Sequence, residues 1–445
     1  MNKITLQLVF TLFCIPAVAQ IHPSTTTDLV MPGGPYMNVL NTGAAISECS
    51  SCSQSVVHAY TWDGDSPGFA VYEPGLGTFV YGLPGGATDP DIVIGNDGYN
   101  GVVVYELNGG VEYQSFTYSS GNISLVSLKI LSTNAQHPNI DNPNDCESTN
   151  PSVIVYEDLN APANIYYSVG TLNGLFNVPI AVPNQGLSTG VALVNRKYPD
   201  VQVYQANKYL FVSTGTDLIG NNYVDLFDFG TGLNGFTSGN ALLPGVNAKP
   251  RIDGVVANPV LDYAYAVTYH DHNSVRHVFQ NQALSTLQGA SSGDPSIAYT
   301  GDFHDAVWPS DLVNSPNFDV IGKGFNALTP DAFYKELNDP LTSGKFDKWA
   351  VSIAGSCNLD YAVCWVGDNE IYYKQANTGG SSSYKMQPNF ENLAQVDIYN
   401  IHGQLIKSCK AEEFDDVYLS LPHSVYIINK IDNLGQLLSA EKVVK

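Results

Sequence analysis

Charged residues are scarce in this chain of 445 residues, and basic residues are the scarcest of them. Asp, Glu, Lys and Arg make up 14% of the sequence, with 19 Lys+Arg against 42 Asp+Glu, which gives a formal net charge of -23 at pH 7. An acidic surface of this kind repels nucleic-acid phosphates and anionic lipid headgroups. We therefore expect neither nucleic acid nor a membrane surface among the partners.

The N-terminal apolar segment is too short to anchor the chain in a membrane. Residues 4–15 form a mostly apolar run of about twelve residues, whereas a spanning helix needs roughly 20. Lys3 precedes this run, and Ala17-Val18-Ala19 follows it, which is the pattern of a cleavable signal peptide. We expect residues 1–19 to be removed and the exported chain to begin near Gln20.

Cysteine is also sparse for an exported protein. Six cysteines remain after the leader, an even number that permits disulfides but cannot supply the main framework of so long a chain. The pair Cys49 and Cys52 has a metal-ligand spacing without a second close pair, so zinc, a local disulfide and free thiols all stay open. The six are Cys49, Cys52, Cys146, Cys357, Cys364 and Cys409.

Two enzyme signatures that depend on fixed spacings are missing. The sequence contains no Gly-Lys-Ser/Thr phosphate loop and no His-Glu-x-x-His zinc helix. These absences exclude only the corresponding enzyme classes.

Gly and Tyr, by contrast, are abundant, and one pattern recurs from about residue 54 to 376. The 40 Gly and 27 Tyr are typical of a β-rich protein with many turns. A Pro followed two residues later by Ile or Val opens a short strand at Pro90-Asp91-Ile92, Pro138-Asn139-Ile140, Pro199-Asp200-Val201, Pro250-Arg251-Ile252 and Pro295-Ser296-Ile297. A second, apolar strand is indicated at residues 69–72, 102–105, 153–156, 209–212, 265–269, 306–308 and 361–365.

The repeat predicts an all-β fold, specifically a β-propeller. Short apolar runs bounded by Gly, Asn and Asp suit sheets that are buried on both faces, which a unit of about 50 residues achieves only by stacking on its neighbours. The seven apolar second-strand segments predict seven blades. The short interval from Tyr72 to Tyr105 leaves six blades possible. A tandem of β-sandwich domains is the alternative, with about 100 residues per unit. One helix is predicted from Thr329-Pro330-Asp331 to Leu337.

The predicted organisation is a signal peptide (1–19), a lead-in segment (20–53), a propeller body (54–384) and a small β-sandwich-like C-terminal domain (385–445). The blades loosely resemble those of secreted bacterial propellers, including sialidase-like ones. The Ser-x-Asp-x-Gly-x-Thr-Trp turn of sialidases is absent, so their catalysis is not carried over.

The last 55 or so residues resemble the C-terminal sorting domain of proteins that the type IX (Por) secretion system of Bacteroidota exports. An ordinary small β-domain is the alternative. The resemblance implies that the secretion machinery recognises residues 385–445 and that the protein reaches the cell surface or the medium. The matching residues are Asp397-Ile398-Tyr399-Asn400-Ile401-His402-Gly403-Gln404-Leu405-Ile406-Lys407, Leu421-Pro422, Val425-Tyr426-Ile427 and Lys442-Val443-Val444-Lys445.

Candidate chemistry is concentrated in the opening motif, because innermost propeller strands line a central channel. Asp91 and Asp200 could supply the two carboxylates of a glycosidase, although we interpret them as solvated strand ends. The other residues at this motif position are Asn139, Arg251 and Ser296. Glu73, Glu106 and Glu157 each follow a strand-ending Tyr, and this recurrence indicates a role in the blade.

Two further groups could bind metal but are better explained as turns. One is the histidine-rich stretch His270-Asp271-His272 with His277 and His304-Asp305, and the other is Asn96-Asp97-Gly98-Tyr99-Asn100. We assign no catalytic, cofactor-binding or metal-binding residue. The favoured function is an exported binding or adhesion module for a glycan or a surface protein, and the alternative is a secreted polysaccharide hydrolase.

Overall fold

The chain divides into two compact units, Met1–Gly379 and Gly380–Lys445. The computed structural model describes residues 29–47, 57–95, 98–143, 151–160, 165–183, 193–205, 208–229, 240–241, 248–255, 264–271, 274–279, 285–288, 293–299, 304–310, 318–325, 335–336, 348–355, 361–376, 393–400, 405–410, 417, 425–432 and 437–444. Among these residues, no helix combines the length and apolar character that crossing a membrane requires.

The first unit is built from 28 described strands. They are β1 (Leu29–Val30), β2 (Thr42–Ile46), β3 (His58–Trp62), β4 (Gly68–Glu73), β5 (Gly77–Gly82), β6 (Thr88–Ile94), β7 (Asn100–Leu107), β8 (Gly110–Ser119), β9 (Asn122–Ser132), β10 (Ala135–Asp141), β11 (Ser152–Asp158), β12 (Ile165–Gly170), β13 (Ile180–Ala181), β14 (Val194–Gln205), β15 (Lys208–Thr216), β16 (Asn222–Phe229), β17 (Asn240–Ala241), β18 (Arg251–Val255), β19 (Ala264–Asp271), β20 (Ser274–Phe279), β21 (Ser285–Gln288), β22 (Ser296–Tyr299), β23 (His304–Ser310), β24 (Asp319–Phe325), β25 (Lys335–Glu336), β26 (Lys348–Gly355), β27 (Tyr361–Gly367) and β28 (Glu370–Ala376).

These strands form seven four-stranded antiparallel sheets, which are the blades of a propeller. Blades 1 to 6 run in chain order from β2–β5 to β22–β25, and blade 7 combines β26, β27 and β28 with β1. The first strand of each blade contacts the first strands of both neighbours, and β26 contacts β2, which closes the ring. The propeller prediction is confirmed with seven blades, and the sandwich alternative is wrong.

The blades hold together through apolar faces that alternate along each second strand. In β7, Val102 and Val104 pack in a cluster with blade 3, whereas Val103 and Tyr105 pack in a cluster with blade 1. All four side chains are at most 1% exposed. Because neighbouring residues of a strand point to opposite faces, a continuous apolar run is required where both faces are covered.

Blade 7 is closed by β1, the first strand of the described residues, and the contact of blade 7 with blade 1 forms the seam of the ring. Leu29 pairs with Tyr373 and Val30 with Tyr372, so β1 is the outer strand of the blade. Across the seam, the indole Nε1 of Trp349 donates to the carbonyl of Val39 at 2.8 Å. The seam therefore joins residues from opposite ends of the propeller.

Two predictions are corrected by the strand pairing. Residues 69–72 lie in β4, the third strand of blade 1, and the second strand is β3. The short interval to Tyr105 arose because a third strand was compared with a second one. Lys335–Glu336 forms β25, so the predicted helix ending at Leu337 is wrong there, since the sheet edge captures this segment. Residues 329–334 and Leu337 lie outside the described residues.

The second unit contains one four-stranded antiparallel sheet in the order β30-β29-β31-β32. Val396 and Ile398, which lie in the strand β29 (Leu393–Asn400), are buried. Cys409 is buried as well, and its Sγ donates to the carbonyl of Val396 at 3.7 Å. The strands are β29 (Leu393–Asn400), β30 (Leu405–Lys410), β31 (Val425–Asp432) and β32 (Leu437–Val444).

Candidate functional site

The innermost strands of the seven blades surround a central channel of about 510 Å³. The channel is lined by all five opening-motif residues, which confirms that these strands face it. Proline occurs here because an innermost strand is a sheet edge, so its missing N–H breaks no ladder hydrogen bond on the channel side. The five residues are Asp91, Asn139, Asp200, Arg251 and Ser296.

A first ring of channel-lining side chains comes from the residue before each opening proline. In three blades this residue lies in an irregularity of the strand register and has a left-handed backbone: φ is 47° at Asp89, 52° at His137 and 50° at Tyr198. Such φ values are uncommon outside glycine, and bulges re-aim side chains. The first ring comprises these residues of blades 2 to 6, which are Asp89, His137, Tyr198, Lys249 and Asp294, together with Asn41, which precedes β2 of blade 1 without a following proline and also lines the channel.

Deeper side chains of the innermost strands join blades 2 to 7 in succession. The channel edge of an innermost strand leaves backbone N–H groups without a ladder partner, and in blades 3 to 7 a side chain of the preceding blade accepts from one of them. The bonds run from the N–H of Ile140 to Asp91 (3.0 Å), Val203 to Asp141 (2.6 Å), Ile252 to Asp200 (2.8 Å), Gly254 to Gln202 (3.2 Å), Tyr299 to Asp253 (2.6 Å) and Ile353 to Ser296 (3.2 Å).

Asp91 and Asp200 are therefore not solvated strand ends, which corrects the sequence-based interpretation. Both lie inside strands, and Asp200 is only 5% exposed. Burial raises the pKa of Asp91 and raises that of Asp200 to about 6, against the opposing charge of Arg251. The Arg251 Nη1 atom lies 3.9 Å from Oδ1 of Asp200. The two carboxyls do face one channel, but both are engaged in holding blades together.

The first ring is more varied in its chemistry. Nδ1 of His137 lies 2.5 Å from Oδ2 of Asp89, and the imidazole ring is 4.5 Å from the Tyr198 ring, centroid to centroid. Lys249 Nζ lies 5.8 Å from the Tyr198 centroid and 3.8 Å from Oδ2 of Asp294. A carboxylate, an imidazole, a phenol ring and an ammonium group thus follow one another around the channel.

The charges around Asp89 lower its pKa. Burial acts to raise it, but the hydrogen bond and charge of His137, together with Lys249 and Arg251, outweigh burial. Asp141, deeper in the channel, shows the opposite balance: burial and the repulsion of Asp253 raise its pKa well above the usual value. The surroundings therefore shift the pKa values of two carboxyls in the same channel in opposite directions.

The three glutamates of the Tyr-Glu pattern do not share one position. Glu73 ends the third strand of blade 1 and accepts from the Tyr118 hydroxyl at 2.7 Å. Glu106 and Glu157 lie in the second strands of blades 2 and 3, and Glu106 accepts from the backbone N–H of His137. Because the three glutamates were treated as equivalent in the sequence, the position of Glu106 beside the first ring was missed. The position before the opening proline was the sequence signal that could have found Asp89 and His137.

The remaining candidates are only partly described. Asp271 pairs with Ser274, which confirms the predicted hairpin, while His272 and the side chains of Asp271, His277, His304 and Asp305 lie outside the described residues. In the stretch Asn96–Asn100, which we interpret as a turn, Asn96 and Asp97 lie outside the described residues, and the N–H of Gly98 donates to the Gly95 carbonyl.

Of the six cysteines, Cys49, Cys52, Cys146 and Cys357 lie outside the described residues. Cys364 is a buried free thiol. Its Sγ donates to the Gly43 carbonyl at 3.6 Å, and burial raises its pKa to about 12. A thiol held protonated in this way is unsuited to nucleophilic attack or metal binding, so Cys364 serves the packing of the seam.

No family model and no curated protein matches the sequence. Solved structures that resemble the chain include both lectins and glycoside hydrolases. A fucose-specific lectin from Aleuria aurantia has 6% identity and a TM-score of 0.43, covering 68% of this chain and 98% of the lectin. A Hadza microbial sialidase has 8% identity and a TM-score of 0.42, covering 73% of this chain and 77% of the sialidase. An α-L-arabinofuranosidase from Fusarium graminearum has 13% identity and a TM-score of 0.37, covering 79% and 97%.

Proposed function

We propose that this chain is an exported binding module that holds a polyhydroxylated ligand, a glycan, at the first ring of its channel. The observation that carries the proposal is the mixture of groups in that ring. Asp89, Asn41 and Asp294 supply acceptors, Lys249 supplies donors, and Tyr198 supplies an aromatic face. Sugar hydroxyls need both donors and acceptors, and their C–H faces pack on aromatic rings.

Binding is favoured over hydrolysis because most channel carboxylates already accept hydrogen bonds that join neighbouring blades. Asp91, Asp141, Asp200 and Asp253 each accept a backbone N–H of the next blade. A carboxylate that must hold a blade interface is poorly placed to move as a nucleophile or a proton donor. The first ring carries no such interblade backbone bond in the described part of the chain, so its groups are the ones open to a ligand.

One observation supports a secreted polysaccharide hydrolase as the second candidate. The pKa of Asp200 is raised to about 6 while that of Asp89 is lowered, and Arg251 interacts with both carboxyls. Two carboxyls whose pKa values are pushed apart are what a glycosidase acid and its partner carboxylate require.

We also propose that the protein is exported through its leader, residues 1–19, and sorted by the type IX secretion machinery through residues 385–445. The support is the sequence pattern at the two ends. The cell surface or the medium is then where a glycan-binding propeller would meet its ligand.

The test is a glycan array probed with the complete exported chain and with two first-ring variants, Tyr198→Asn and Lys249→Met. Asn at position 198 suits the left-handed backbone, so this variant removes the ring without added strain. We expect each variant to lose at least about tenfold in affinity, or about 1.4 kcal/mol. Tyr99→Asn is the control, because Tyr99 is 41% exposed and does not line the channel.

The same preparations should be incubated with the glycans that bind. Retention of the intact glycan supports the binding module. Release of reducing sugar that disappears in Asp89→Asn and Asp200→Asn supports the hydrolase instead. Glycan binding that survives both first-ring variants would move the ligand away from the channel.

A further inference from the structure

Three side chains of different types meet where the first ring passes from blade 2 to blade 3. Asp89 belongs to β6, Glu106 to β7 and His137 to β10. One ligand atom from each lies within 4.8 Å of the other two. Ligand atoms on opposite sides of one divalent ion, each about 2.0–2.2 Å from it, are up to about 4.4 Å apart. Small side-chain rotations therefore bring all three atoms onto a single ion.

The backbone brings two of these side chains together at strained positions. Asp89 and His137 both have left-handed φ values, 47° and 52°, in irregularities of their strands. Oδ2 of Asp89 lies 2.5 Å from Nδ1 of His137. A metal ion bound by both atoms would replace the proton of this hydrogen bond, and that proton would pass to solvent.

A third carboxylate, that of Glu157, adjoins the group and lacks a partner for one oxygen. Glu157 is 7% exposed, and its Oε2 atom is buried without a hydrogen bond. The Gln136 side chain, His137 and Lys197 favour the charged form of Glu157, whereas Glu157 and Glu106 repel each other. A buried carboxylate oxygen without a partner beside other carboxylates is costly, and a bound cation would satisfy it.

We propose that Asp89, Glu106 and His137 bind a divalent transition-metal ion, with Glu157 adjoining the site. The donor set of one imidazole and carboxylates suits Zn²⁺ or Mn²⁺, since imidazole is a ligand for the former and carboxylate for both. Calcium takes oxygen ligands only and would have no need of His137. Thiolates play no part, so the site is insensitive to thiol oxidation.

The site breaks the sevenfold repeat, as a specific site must. One blade further on, the corresponding positions hold His137, Glu157 and Tyr198, so a phenol stands where the histidine would be. One blade earlier, Asp63 is occupied by hydrogen bonds from the side chain and backbone of Asn41. Among the described residues, the His/Asp/Glu group is confined to the junction of blades 2 and 3.

The experiment is a calorimetric titration of the complete exported chain, freed of metal by dialysis against a chelator, with ZnCl₂ and separately with MnCl₂ and CaCl₂. We expect saturable Zn²⁺ or Mn²⁺ binding that weakens by more than about tenfold in Glu106→Gln and in His137→Asn, because even outer-shell changes at metal sites cost 10–100-fold. Glu73→Gln is the matched control: it is the same substitution in a Tyr-Glu pair whose carboxylate bonds Tyr118 instead. It should bind as the parent does.

Two results would overturn the assignment. One is the absence of saturable binding of either transition metal, and the other is binding that is unchanged in both variants, which would place the metal elsewhere, for example near His270. Ca²⁺ binding that survives His137→Asn also counts against it. Asn tolerates the left-handed backbone at position 137, and circular dichroism checks the fold; if that variant misfolds, Glu106→Gln decides. The titration needs no glycan, so its outcome is independent of the proposed ligand.

Discussion

Replacing Asp200 with Asn should flatten the dependence of stability on pH. Asp200 has an ordinary pKa of 3.8 and a folded value of about 6, raised chiefly by burial. A carboxyl with a higher pKa in the folded state binds more protons when folded. The folded state is therefore favoured at low pH and loses this stabilisation as the pH rises from about 4 through 6.

The size of the effect follows from the shift. A difference of about two pKa units corresponds to about 3 kcal/mol once both states are ionised, and about 1 to 2 kcal/mol of it develops between pH 5 and pH 8. Both Asp200 oxygens accept backbone hydrogen bonds, from Val201 at 2.9 Å and Ile252 at 2.8 Å. Asn offers one acceptor, so the variant should lose about 1 kcal/mol at every pH. The change in slope is separate from that constant loss.

The assay is urea unfolding followed by tryptophan fluorescence at pH 5, 6, 7 and 8. The difference in unfolding free energy between the parent and Asp200→Asn should shift in favour of the variant by about 1 to 2 kcal/mol from pH 5 to pH 8. Asp217→Asn is the comparator: hydrogen bonds from Asn221, Ile219 and Tyr223 lower the pKa of Asp217 despite an opposing desolvation effect, so Asp217 is ionised in both states between pH 5 and 8 and its replacement should not change the slope there. Parallel pH curves for the parent and Asp200→Asn would refute the reasoning.

Three further predictions concern the ligand site, the core and export. Asp91→Asn together with Asp200→Asn should reduce glycan affinity by less than about tenfold, measured by titration; a loss of several orders of magnitude in turnover with the fold intact would favour the hydrolase. Trp365→Ala, which empties a side-chain position that is 0% exposed, should lower the free energy of unfolding by about 3 to 5 kcal/mol in urea, and a loss below about 1 kcal/mol would contradict the packing. Deleting residues 387–445 should trap the protein in the periplasm of its own host, and surface display of the truncated form would disprove the sorting proposal.

The innermost strands of blades 2 to 6 could be predicted because their position at a sheet edge produces a recognisable sequence pattern. A proline tolerates a sheet edge, and a β-branched residue two positions later returns to the buried face, as at Pro90 and Ile92. Blades 1 and 7 lack this mark, since β2 begins at Thr42 and β26 at Lys348. The closing strand β1 has two residues and pairs with a strand from the far end of the propeller, which no local pattern could reveal.

The site was predicted less completely, because its interactions run between blades. Asp91 and Asp200 were found by position, but their partners are backbone N–H groups of other blades, and a backbone group leaves no trace in the sequence. Asp89 and His137 were missed although each precedes an opening proline. Their register irregularities and left-handed backbone, rather than the residue types, are what bring them face to face.

The seam between blades 1 and 7 has a consequence for how the protein folds and lasts. Contacts between other neighbouring blades form within short stretches of chain, but the hydrogen bond from Trp349 to Val39 joins residues 310 positions apart. Closing a flexible loop of this length costs about 5 kcal/mol of chain entropy, so we expect the seam to form after the contacts between the other blades. Once it has formed, neither end of the propeller can detach without first separating blades 1 and 7. We then expect the lifetime of the folded propeller to depend on the rate at which blades 1 and 7 separate, and not only on the equilibrium stability of the blades.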